Sequence, residues 1–153
     1  MKAPTKFTSK KDSLFTMVFF GICVLMLAVV ILAFVDNISL AGLLVVVTTS
    51  LLVIGLMLWA YLGTYYELDD DILKYHSGPL KGSISISQIN TIIRGKTLWV
   101  GIKPALARKG MIINYERFNE IYISPSQETL FLKMILEQNP SIKIIETSEN
   151  PVY

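Results

Sequence analysis

One cysteine and one histidine in 153 residues exclude several kinds of chemistry at the outset. A lone Cys23 cannot close an internal disulfide or build a cysteine zinc site. His76 falls on the polar side of a predicted strand and reads as a solvated side chain rather than a catalytic one. The chain has no glycine-rich phosphate loop, no H-E-x-x-H and no G-x-S-x-G. Asp69, Asp70 and Asp71 are contiguous on a turn, so their carboxylates diverge instead of converging on a cation. The sequence therefore reads as non-enzymatic, with no catalytic residue, no cofactor and no metal expected.

Charge is scarcest between Leu14 and Leu62, where Asp36 is the one charged residue. A soluble helix keeps a polar face, and this run has none. The run predicts two membrane-spanning helices, 14–35 and 40–62, joined through Asp36-Asn37-Ile38-Ser39. Each has the roughly 20 residues needed to cross about 30 Å of hydrocarbon. The first span is too long for a signal-peptide core, lacks a small-x-small cleavage site and is followed at once by a second span. Neither span holds a charged residue, which argues for an anchor over a pore or proton relay. Thr48, Thr49 and Ser50 are the clustered polar groups, and Gly42 and Gly55 allow close approach of the helices.

Orientation follows from the lysines. Lys2, Lys6, Lys10 and Lys11 precede the first span, Lys74 and Lys81 follow the second, and the short loop carries no positive charge. The positive-inside rule puts both termini in the cytoplasm, with the protein multi-pass in the membrane. Trp59, Tyr61 and Tyr65 suit the bilayer interface, while Tyr66 reads better as a strand residue. The implied organisation is a basic tail over 1–13, the hairpin over 14–62, one small domain over 63–146 and a flexible tail over 147–153.

From Gly63 onward ten Lys/Arg balance ten Asp/Glu. A neutral domain argues against nucleic acid as the partner, since phosphate neutralisation needs clustered excess cations. Here the apolar period changes to two. Tyr66 and Leu68, then Leu73 and Tyr75, then Ile84 and Ile86 alternate with polar residues. Asp69-Asp70-Asp71 and Ser77-Gly78-Pro79 supply the turns. Ile89 to Ile93 reads as a short turn leading into a strand. Arg108 to Tyr115 and Asn119 to Ile123 read as further strands, with Met111, Ile113, Tyr115, Ile121 and Ile123 inward. Closely spaced short strands indicate an antiparallel barrel or sandwich. One helix follows, with Ser124 as its predicted N-cap, Pro125 first in the helix and Gln127 completing an S-x-x-Q capping box. Leu130, Phe131, Met134 and Ile135 form its expected apolar stripe, and Pro140 ends it. Ile142 to Ile145 reads as a last extended segment. The fold class is α+β: a transmembrane hairpin, then a small antiparallel β barrel or sandwich capped by a C-terminal helix.

Four stretches carry a resemblance to a known family. They are Tyr66-Glu67-Leu68-Asp69-Asp70-Asp71-Ile72-Leu73 followed by Gly78; Ile84-Ser85-Ile86-Ser87-Gln88-Ile89-Asn90-Thr91-Ile92; Pro104-Ala105-Leu106-Ala107 with Ile113-Asn114-Tyr115; and Ile123-Ser124-Pro125 with Phe131 and Asn139-Pro140. In this order they resemble the bacterial pleckstrin-homology-like domains, in the YyaB-like branch. The likeness spans about Tyr65 to Ile144. Ala107 departs from it, since family members often carry serine there. The resemblance implies a curved antiparallel sheet closed at one end by the helix. Its related sublancin-immunity branch adds an envelope or immunity role to the expectations.

The candidate binding stretch is Arg94 to Lys109. Arg94, Lys96, Lys103, Arg108 and Lys109 interleave there with Leu98, Trp99, Val100, Ile102 and Leu106. Cations beside apolar rings suit an anionic membrane surface, and Trp with Arg suits a protein partner. The third reading buries Trp99 and Leu106 in the core and leaves the cations solvated. Pleckstrin domains bind phosphoinositide near the first strand–strand turn, which here is Asp69-Asp70-Asp71 and repels phosphate. Phosphoinositide binding in that pocket is therefore not expected. The expected function is a membrane-anchored PH-like binding or scaffolding protein at the cytoplasmic face. Its expected partners are the lipid bilayer, another membrane protein or a second copy of the chain. The alternative is a small regulatory subunit of a membrane transporter or channel.

Overall fold

The apolar run folds as two helices of 23 residues each, α1 over Ser13–Val35 and α2 over Leu40–Leu62. Both are long and apolar enough to cross a membrane. The computed structural model describes residues 4–98 and 101–147. Between the helices, Asn37 takes the left-handed backbone conformation that asparagine tolerates. Ser39 caps α2, its hydroxyl accepting from the Gly42 N–H at 3.3 Å. Among the described helical residues, only Phe19 in α1 and Ser50 in α2 are buried. Ile22, Met26, Val30, Leu43, Val46 and Val47 are half-buried, and most other apolar side chains face outward, with Phe34 72%, Leu40 73% and Leu62 69% exposed.

Beyond Gly63 the two-residue alternation becomes strands β2 (Tyr65–Asp69), β3 (Ile72–Ser77) and β4 (Leu80–Ser85). They form an antiparallel meander with Tyr66, Leu68, Leu73, Tyr75 and Ile84 buried. Asp69 pairs with Ile72, so Asp70 and Asp71 make a two-residue turn, and Asp70 adopts φ +44°. Aspartate tolerates that conformation and bonds its own backbone in turns. At the next turn Gly78 has φ +56°, and a Cβ there would lie 3.1 Å from the Ala60 Cα of α2. Glycine thus lets this turn sit directly against the helix.

The sheet has a fourth strand that the residue pattern did not suggest. Thr5–Thr8, within the stretch read as a basic tail, forms β1 and pairs antiparallel with β2. Its Phe7 is buried and meets Phe131 edge-on at 5.2 Å. The second sheet has the order β7-β6-β5-β8, from β5 (Ile89–Arg94), β6 (Met111–Tyr115), β7 (Asn119–Ile123) and β8 (Lys143–Glu146). β8 runs parallel to β5, so this sheet is mixed where an antiparallel one was expected. The two sheets share a core that includes Tyr66, Leu73, Ile92, Ile113 and Ile121, and they do not close into a barrel.

The last helix, α3, spans Glu128–Gln138, and here two expectations fail. Ser124 is not its N-cap, and no capping box forms; Gln127 precedes the helix without a side-chain cap bond. Residues 124–126 stay out of the helix because the N-terminal segment takes their backbone groups: Lys10 N–H donates to Ser124 C=O, and Ser126 N–H to Thr8 C=O. Leu130, placed in the core stripe, is 45% exposed, while Leu132 is buried beside Phe131 and Ile135. Leu130 and Leu132 flank Phe131 symmetrically, so three-and-four spacing alone cannot choose between them. Phe131→Ala should cost about 3–5 kcal/mol, as emptying a core aromatic site does, whereas Leu130→Ala should cost less than about 1 kcal/mol. Thermal unfolding of the two variants in detergent, followed by near-UV circular dichroism, separates these outcomes.

Candidate binding surface at the junction of hairpin and domain

The N-terminal segment runs from β1 across the domain and into α1, bonded at nearly every step. Ser9 N–H donates to Thr64 C=O at 3.2 Å, Lys10 N–H to Ser124 C=O at 2.6 Å and Asp12 N–H to Leu106 C=O at 3.0 Å. Beneath it lies a buried polar cluster. The Tyr66 hydroxyl donates to the Pro104 carbonyl and accepts from the Ser124 N–H at 3.0 Å. Ser9 and Ser124 join hydroxyls at 3.0 Å, and Ser9 Oγ also accepts from Leu106 N–H. A buried hydroxyl needs such partners, because an unpaired one costs about 1–3 kcal/mol. Burial raises the Tyr66 pKa above its ordinary value.

At the start of α1, Asp12 holds Arg108, with Arg108 Nε donating to its carboxylate at 2.7 Å. That hydrogen bond lowers the Asp12 pKa. On the other side of the helix pair, Tyr61 stacks on Phe19 at 4.7 Å, bonds the Thr16 hydroxyl at 3.1 Å and receives Lys11 Nζ over its ring at 4.3 Å. Tyr65 stacks on His76 and carries Lys6 over its face.

The candidate cations divide among these surroundings. Arg94 is committed within the fold, to Glu128 at 2.7 Å and to Glu146, and the Glu128 hydrogen bond raises its pKa. Lys96 is exposed, and Lys109 is exposed with φ +53°, its N–H bonded to Thr97 Oγ1. Arg108 stands at the first turn of α1 through Asp12. Lys103 is half-buried and forms no ion pair among the described residues. Trp99 lies outside the described residues, and Leu106 is half-buried.

Lys103 and Arg108 come together on one feature, a cleft of about 290 Å³ between α1 and the outer face of the second sheet. Leu14 and Phe15 form its helix side, and Leu98, Ala105, Ala107 and Tyr122 the domain side. Tyr122 holds the cleft's wall in shape: its hydroxyl accepts from Gly110 N–H at 2.7 Å and donates to Ala107 C=O at 2.8 Å. Asp12, Leu14 and Phe15 are absent from the residue set that sequence alone suggested. Asp12 had one available signal, as the single acid of a lysine-rich segment. Among the described residues no three metal-ligating side chains gather.

Two facing sheets with a single helix after the last antiparallel strand pair make a pleckstrin-like domain, and the sequence comparison agrees. Residues 64–139 match the bacterial PH domain family, in line with the pleckstrin-like fold of this stretch. Over 145 residues, which are 94% of this chain and 99% of the relative, the chain is 26% identical to the protein named uncharacterized protein YyaB of Bacillus subtilis (strain 168). The similarity therefore includes the helical hairpin as well as the domain. No solved structure matches the chain.

Tyr66→Phe should destabilise the protein by about 1–3 kcal/mol, since it strands the Ser124 N–H and the Pro104 carbonyl. The folded state also holds the Tyr66 proton more tightly than the unfolded state does. That contribution is complete below about pH 10 and is lost as pH rises through the higher folded value. Melting curves at pH 7 and above pH 10 should show the variant less stable at neutrality, with a shallower alkaline decline than the wild type.

Proposed function

We propose that this chain is a membrane-anchored binding or scaffolding protein whose PH domain works, without catalysis, at the cytoplasmic face of a bacterial inner membrane. One observation carries the reading: two 23-residue helices turn apolar side chains outward on nearly every side. Apolar surface that large, uncovered by protein, belongs in lipid. The lysines before α1 and after α2 support cytoplasmic termini, and Lys11 with Tyr61 forms the amphipathic pairing that favours a bilayer interface.

The domain's neutral charge balance, with no cluster of three His, Cys, Asp or Glu side chains among the described residues, favours holding a partner over transforming a substrate. Of the candidate residues, Lys96, Lys103, Arg108 and Lys109 are the ones proposed to meet the membrane or a membrane-proximal partner. Arg94, tied to Glu128 and Glu146, serves the fold first.

In a Cys23→Ser background, cysteine at Asp36 should react with an impermeant thiol reagent in intact cells. Cysteine at Arg117, on the exposed β6–β7 turn, should react only after the cells are opened. The protein should also resist alkaline carbonate extraction. Labelling of Arg117→Cys in intact cells overturns the orientation, and release by carbonate overturns the anchor.

A further inference from the structure

We propose that the cleft beside the first turn of α1 holds part of one acyl chain of an anionic phospholipid from the surrounding bilayer, with the lipid phosphate between Lys103 and Arg108. This rests on the membrane-anchored reading above. The cleft's lining is the first argument. Leu14, Phe15, Leu98, Ala105, Ala107 and Tyr122 offer apolar surface, and the Tyr122 hydroxyl is already engaged with Gly110 and Ala107. A free phosphate or a soluble polar ligand gains nothing from such walls, whereas a hydrocarbon chain gains with each methylene buried.

Position and size narrow the occupant. Leu14 and Phe15 belong both to the cleft and to the first turn of an outward-apolar helix. A chain entering here passes from the hydrocarbon directly onto protein, without crossing water. At about 290 Å³ the cleft sits at the lower bound of small-molecule sites, which run about 300–1,000 Å³. That is room for a segment of one chain, so the rest of the lipid stays in the bilayer.

The headgroup choice comes from the rim. Lys103 has no ion-pair partner among the described residues, and Arg108 spends only Nε on Asp12. Its terminal nitrogens remain for a phosphate, which guanidinium binds in a planar fork. Asp12 offsets one of the two positive charges, so the rim keeps a net charge of about one and prefers, without absolutely requiring, an anionic headgroup.

The test uses the full chain in nanodiscs of equal phosphatidylglycerol and phosphatidylethanolamine, re-extracted in mild detergent and read by native mass spectrometry. The wild type should retain one phosphatidylglycerol per chain, favoured about fivefold over phosphatidylethanolamine, the scale of one cation at an anionic surface. Lys103→Glu should abolish that preference, and Ala105→Phe should remove retention of both lipids by filling the cleft. Arg117→Glu, on the β6–β7 turn, should retain lipid as the wild type does. If Ala105→Phe fails to fold, Lys103→Glu still decides, because Lys103 holds no ion pair whose loss would unfold the domain. A wild type that reconstitutes but keeps no lipid overturns the cleft site and leaves the anchor standing. Equal loss in Arg117→Glu, or a lipid-free dimer, overturns it as well. A chain that never enters the nanodisc overturns both readings.

Discussion

The pairing of Thr8 with Tyr65 governs this molecule. Adjacent strands in a sheet lie about 4.8 Å apart. Their register therefore fixes the two ends of a helical hairpin, two helices of 23 residues each, side by side. Most antiparallel neighbours are joined by a tight turn. Here α1 and α2 take the place of that turn, and the hairpin is an insertion between the first two strands of one sheet. Neither helix can leave the domain without breaking backbone hydrogen bonds, and Gly78 against Ala60 and Arg108 on Asp12 add contacts on either side.

The polar cluster under the N-terminal segment follows from this constraint. Bringing residues 8–12 across the domain buries backbone and hydroxyl groups that need partners. Tyr66, Ser9 and Ser124 supply them, and among the described residues no buried side-chain polar atom is left without a bond. The same bonds hold residues 124–126 out of the helix, which delays α3 until Glu128 and decides which leucine faces inward. A local motif at Ser124 lost to a long-range pairing with Lys10 and Thr8.

That contest explains what could be read from the sequence. Both helices, the Asp70–Asp71 turn, the strand over Asn119–Ile123 and the helix end before Pro140 follow from signals a few residues long, and each appears where such signals put it. β1 has four residues, two of them threonine, and a partner nearly sixty positions away; nothing local distinguishes it from a polar tail. β8 shows its isoleucines but not its direction, which depends on the return path of α3. The candidate site was legible as a cluster of cations. Its division was not: Arg94 and Arg108 are told apart by Glu128 and Asp12, acids remote in sequence from their partners.

The join between sheet and hairpin also sets how the molecule carries force. α1 leaves from the C-terminal end of β1, and α2 arrives at the N-terminal end of β2, so both helices attach at the same edge of one ladder. Spreading the helices apart loads the bonds of residues 9–12 to Arg108, Leu106, Ser124 and Thr64 first, then the Thr8–Tyr65 rung, and from there peels the strands one rung at a time. Shifting both helices together leaves the ladder unstressed. Splaying of the two helices is thus converted into fraying of β1, which draws Phe7 away from Phe131 in the core.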